Sequence, residues 1–238
     1  MQLKYKYEEM LPQEFLEAVE KMPVFFVPTG LLEWHGDHLP LGQDSLKAHG
    51  ICLEAAKRLG GGIVLPPCYF GRPGYSRYIG TLTFSEGCVT SVFTELFEEL
   101  QKVGAKIIYL LTGHYGPAQM DTIKHIAQSY QKEHPEITVF ARAEYEGVLV
   151  DGEVPGDHAA KYETSIFSYL YPHLTHMENF SMETDIKRYY NNPRNDYYKE
   201  SGDWEWPGDL RDMASPALGK RCVDAIVEYI VECIKEKL

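Results

Sequence analysis

Glu33, His35, Asp37, His38 and Asp44 lie together in one short run, GLLEWHGDHLPLGQD. Carboxylate oxygens and imidazole nitrogens are ligands that suit zinc, manganese or iron. Glu-x-His places both side chains on the same side of an extended backbone, and a carboxylate such as Asp44 could bridge two ions. The same composition also describes a solvated polar loop. Against that reading, Gly30, Gly36 and Gly42 permit tight turns, and Leu39, Pro40 and Leu41 give the loop apolar side chains to pack. Two further clusters hold residues of the same chemical kind. His114 stands in TGHYG and Glu163 in GDHAAKYETS, where His158 precedes it. His114 alone could be a satisfied hydrogen-bonding group, and Glu163 could be a first-turn acid favoured by a helix dipole.

These residues need elements that bring them to one place. The apolar run PVFFVP predicts a buried strand over 24–27 that ends where the ligand-rich loop begins. After Asp44, SLKAHGICLEAAKRLGG reads as a helix closed by Gly60, and 63–65 is the next strand, stopped by Pro66 and Pro67. This is a βαβ unit, so parallel pairing is expected. The segment CYFGRPGYSRYIGTLTF is a long Gly- and Tyr-rich loop, expected to wall the site. Ser85 opens a helix that runs to Val103, with Val89, Val92, Phe93, Leu96 and Leu100 on one face.

The run AKIIYLL at 105–111 is a continuously apolar central strand. It delivers His114 to the carboxyl edge of the sheet, where open α/β sheets place ligands. A helix over 117–132 and a strand over 137–141 follow. Asp157 or His158 can cap a helix running to Tyr171. The stretch 173–212 is irregular, and its Trp204 and Trp206 either line a pocket or bury themselves at a subunit contact, the second being favoured. Helices are expected at the two ends: one over 11–21 with a stripe of Leu11, Phe15, Leu16 and Val19, and one after Ser215 with Ala225, Ile226, Tyr229, Ile230 and Ile234 facing inward.

With 238 residues, the chain is expected to form a single domain over 1–238. Its net charge of −12, from 23 basic and 35 acidic residues, argues against nucleic acid or an anionic membrane as partner. The five cysteines are scattered and odd in number, as expected for reduced thiols in a cytoplasmic protein. No stretch approaches the ~20 apolar residues of a membrane span. No Gly-rich phosphate loop is present, which counts against a nucleotide binder.

Taken in order, GLLEWHGDHLPLGQD, TGHYG, GDHAAKYETS and, more faintly, SRYIGTLTF and GDLRDMASPALGK resemble the motifs of the creatininase (creatinine amidohydrolase) family. The resemblance implies an α/β protein, a three-layer α/β/α sandwich with a mostly parallel central sheet. It further implies an amidohydrolase with two divalent metal ions (zinc, manganese or iron) that cleaves a non-peptide or cyclic amide C–N bond through a metal-bridging hydroxide. The substrate would be a small-molecule amide and the assembly a homo-oligomer, a hexamer by the same resemblance. Glu33, Asp44 and His114 would hold one ion, and His35 and Asp44 the other. His38 would orient a ligand, Ser76 and Tyr115 would lie on the substrate side, and His158 would contact substrate and shuttle a proton.

The chain departs from the family pattern in several places. Gly116 stands where creatininase proper has a glutamate, so the second ion is expected to recruit Glu163, which would then be both ligand and catalytic residue. Val154 and Pro155 stand where creatininase has a Trp-Asp pair, Trp34 replaces Gln, and Ala160 replaces Gly. Creatinine is therefore not the expected substrate. A deformylase, a peptidase of a modified peptide and a non-catalytic metal-binding protein with a decayed site are the alternatives.

Overall fold

A computed structural model describes residues 4–184 and 204–238. The sheet is built from β1 (Val24–Thr29), β2 (Ile63–Val64), β3 (Ile107–Thr112) and β4 (Thr138–Ala143), ordered β2-β1-β3-β4 with every pairing parallel. Strand residues alternate between two faces, and both faces are covered, which is why the runs are apolar throughout. Val24, Phe26, Ile107, Tyr109 and Leu111 pack under α2 (Gln43–Leu59), α5 (Lys161–Leu170) and α7 (Pro216–Lys235). Phe25, Val27, Ile108 and Leu110 pack under α3 (Glu86–Lys102) and α4 (Pro117–Glu133), with α1 (Pro12–Lys21) at the rim. The result is the expected three-layer α/β/α sandwich.

The chain order explains the two helical layers. β1 leads outward to β2 through α2 on one face, then returns across β1 to β3 through α3 on the other. Right-handed crossovers running in opposite directions must use opposite faces. The reversal leaves a crevice at the carboxyl ends of β1 and β3, the place where open α/β sheets bind ligands.

Several element bounds differ from the sequence expectation, each for a local reason. Asp44 lies in the first turn of α2 rather than in the loop before it. β3 starts later than 105 because the Ala105 N–H donates to the Leu100 carbonyl at 2.9 Å, closing α3. β4 starts after Ile137, whose N–H turns back to the His134 carbonyl at 3.3 Å, and pairing with β3 carries it on to Ala143. α5 begins at Lys161, yet Asp157 still caps it: its carboxylate accepts the N–H groups of Tyr162 (2.7 Å) and Glu163 (3.0 Å). On α1, Phe15 and Val19 pack inward while Leu11 and Leu16 are exposed, so half of the expected apolar stripe faces outward. Within 173–212 the described residues form two single 3-10 turns and the short α6 (Leu210–Met213).

Candidate metal centre

The crevice between β1 and β3 gathers acids and histidines from three loops and two helices. Among the described residues, three groups could hold a metal ion: Glu33–Asp44–His114, His35–Asp44–Glu163 and Glu33–His35–His158. Asp37 belongs to none of them. Asp44 divides its two oxygens between the first two groups. Oδ1 lies 2.9 Å from His35 Nε2, and Oδ2 lies 3.5 Å from His114 Nδ1. His114 Nδ1 is also 3.0 Å from Glu33 Oε2, and His35 Nε2 is 3.4 Å from Glu163 Oε2.

The backbone sets these orientations. His35 Nδ1–H donates to the Glu33 carbonyl at 3.0 Å, a bond that only a protonated Nδ1 can make and that turns Nε2 inward as a ligand. Glu33 Oε1 accepts the N–H of Tyr75, which leaves Oε2 for the cluster. Two glycines make room for this. A Cβ on Gly74 would collide with Glu33 Oε1 and the His114 ring, and one on Gly113 would collide with the Asp44 backbone.

Electrostatically the cluster is a cation site. Burial alone would push the His35 ring down, but the charge of Asp44, then of Glu163 and Glu33, outweighs it and holds its pKa at about 9. Glu33 and Asp44 lift His114 well above the ordinary histidine range against the same burial, and the two rings hold Asp44 well below the carboxylate range. Protons here stand in for cations, and a metal ion would displace them. Among the described residues His114 Nε2 is buried without a hydrogen-bond partner, while Glu33 Oε2 and Asp44 Oδ2 share the one nitrogen His114 Nδ1. Buried polar atoms left this way call for an explanation, and divalent cations supply one. The donor set therefore fits the expected ions.

A cavity of about 250 Å³ opens onto the cluster. Tyr75, Tyr115 and Pro117 form its walls, and His158 stands beside the carboxylates. The His158 ring stacks on Tyr75 with centroids 4.0 Å apart and meets Trp204 edge-on at 5.2 Å. Burial, reinforced by the neighbouring His35, lowers its pKa well below the ordinary value, so this imidazole is neutral at rest.

The remaining expected site residues take supporting places. His38 Nε2 pairs with Thr164 Oγ1 at 2.9 Å, on the helix that carries Glu163, and burial holds its pKa down at about 4. The Tyr115 hydroxyl lies 2.8 Å from Glu163 Oε1. Ser76 is buried in the loop that follows Gly74 and is not among the residues lining the cavity. Trp204 packs on Tyr75 and His158, and Trp206 on Phe180 and His38, so both indoles lie against the site within the same chain.

Sequence reasoning missed Lys47, Glu144 and Tyr75. Lys47 falls on the α2 face shared by Asp44, Ala48 and Ile51, and a lysine inside an apolar helix face is a readable signal. Glu144 directly follows β4 at the edge that identified His114.

Residues 8–234 match the creatininase family, described as creatinine amidohydrolase. The chain is similar to the creatinine amidohydrolase of Pseudomonas putida, 25% identical over 178 residues, covering 65% of this chain and 67% of that protein. Among solved structures, a creatininase with Mn superposes with a TM-score of 0.78 at 21% identity, covering 98% of this chain and 99% of the other. A mutant creatininase of the Zn-Zn type gives 0.76 at 20% identity, covering 98% of each chain.

Proposed function

The chain belongs to the creatininase family and is an amidohydrolase; from that premise we propose that it is a dinuclear metal enzyme. Its two divalent ions, zinc, manganese or iron, would be held by Glu33, Asp44 and His114 and by His35, Asp44 and Glu163. The observation that carries this reading is the split of Asp44, with one oxygen directed at each group. When bound, such ions supply a nucleophilic water at neutral pH and polarise the scissile carbonyl. Manganese and zinc in related creatininases support the choice of metal.

The chain's own groups do the rest. His158 starts neutral with its Nε2 buried and unpartnered. It therefore accepts at Nε2 the proton that the attacking water gives up, and returns it to the leaving nitrogen as the C–N bond breaks. Tyr75 and Tyr115 flank the substrate and exclude water on either side of it. A cavity of about 250 Å³ suits a small amide, lactam or formamide. Creatinine is not the substrate on this reading, because Val154 is exposed and is not among the cavity's lining residues.

Homo-oligomerisation is part of the same proposal. Leu41, Phe70, Ile79 and Leu82 are all exposed, with Leu41 against Gly80 and Phe70 against Phe84. Exposed large apolar side chains of this kind support a subunit interface. All five thiols are free, which supports a cytoplasmic location, and among the described residues no helix is long and apolar enough to cross a membrane.

The test is to strip metal with a chelator, restore manganese or zinc, and assay small amides, lactams and formamides alongside creatinine. The proposal expects turnover of a non-creatinine amide that is lost on chelation and recovered with metal. Turnover that survives full chelation would overturn it.

A further inference from the structure

Lys47 is fully buried, yet nothing in the reaction described above uses it. It lies one turn beyond Asp44 on α2. Its ammonium reaches Glu163 Oε1 at 2.6 Å and Glu144 Oε1 at 2.5 Å, and lies 5.2 Å from the centre of the Tyr115 ring. Lysine is almost never buried without a partner, because removing its charge from water is costly. Glu144 is equally buried, and the ion pair with Lys47 is what compensates it among the described residues.

The consequence falls on Glu163. Its Oε1 is held by Lys47 and by the Tyr115 hydroxyl at 2.8 Å. Its Oε2 accepts the Ala159 N–H at 2.6 Å and faces His35 Nε2 at 3.4 Å. Without an anchor, a glutamate carboxylate can rotate or offer both oxygens. With Oε1 occupied, Oε2 alone is directed at the second group of ligands.

We propose that Lys47, backed by Glu144, is a positioning residue that fixes Glu163 as a one-oxygen ligand at the second metal position. This rests on the dinuclear reading above. Replacing both by neutral residues removes the Lys47 anchor from Glu163 Oε1 and leaves neither buried partner stranded. Among the described residues no ion pair joins Glu33 or His114 to Lys47 or Glu144, so the anchor acts on the second position and not on these two ligands of the first.

The test is manganese titration of the chelated, full-length protein by calorimetry. It compares wild type, Lys47→Met and the double variant Lys47→Met/Glu144→Gln, with thermal unfolding followed in parallel. Lys47→Met alone strands a buried carboxylate and can fail to fold; the double variant removes that burden. The expected result for the double variant is a first binding constant within about threefold of wild type and a second weakened about 10–100-fold, the usual effect of losing a partner that orients a ligand. Two constants both within about threefold of wild type would overturn the proposal. So would an equal fall in both, since a merely structural role has no preference between sites. Wild type that takes up a single equivalent would instead refute the dinuclear reading and this inference with it.

Discussion

The two halves of the centre are built differently. Glu33 and His114 come from loops that leave the neighbouring central strands β1 and β3, and the glycines at 74 and 113 let backbone close tightly around them. That half is fixed by the sheet itself. Glu163 comes from α5, and side chains and one backbone group hold its carboxylate at the site: Lys47, itself paired with Glu144, the Tyr115 hydroxyl and the Ala159 N–H. Ala159 carries a φ of 50°, a left-handed conformation that costs a non-glycine residue about 1 kcal/mol or more. One half is held by topology, the other by side chains, and a change in side chains should therefore separate them.

The largest effect should come from Asp44, which both halves share. Asp44→Ala should abolish the binding of two ions and lower turnover by a factor on the order of 10³ or more, measured by metal analysis alongside activity. Retained two-ion content would remove the bridging role. Glu163→Gln should act on one half only. It should leave one tightly bound ion and lower turnover roughly 10²–10³-fold, and loss of both ions would break the distinction between the halves.

A smaller effect concerns pH in the metal-free protein. His35 is raised from 6.5 to about 9 by its carboxylate neighbours. The stabilisation from that charge is fully present below about pH 6.5 and is lost as pH rises through about 9. Glu144, pushed up to about 8 by burial against the pull of Lys47, acts in the same direction: above its ordinary pKa the unfolded chain gives up a proton that the folded chain keeps. The Tm of the chelated protein should thus fall between pH 6.5 and 9. With metal bound, His35 is neutral in its ligand role and its share of the fall should disappear. Equal slopes with and without metal would contradict the placement of a cation at His35.

How much of this was legible in the sequence follows the same division. The strands announced themselves as apolar runs, and the edge rule led from AKIIYLL to His114. GLLEWHGDHLPLGQD declared its ligands because they are close in sequence. Strand ends moved by one to two residues because the backbone N–H groups of Ala105 and Ile137 go to helix closure and a turn, which side-chain patterns do not record. Lys47 signals itself only by its place on the apolar face of α2, against the ordinary solvation of a lysine, and its role there is not written in that pattern. Its partners Glu144 and Glu163 are about a hundred residues further along the chain, and only the fold joins them.

The central claim is that Asp44 lies between two cations. Crystals of the chelated protein soaked in manganese and measured at an anomalous wavelength test it directly. Two anomalous peaks should appear, one beside Glu33 and His114 and one beside His35 and Glu163, with an Asp44 oxygen on each. A single peak, or a pair of peaks that Asp44 does not join, would contradict the account.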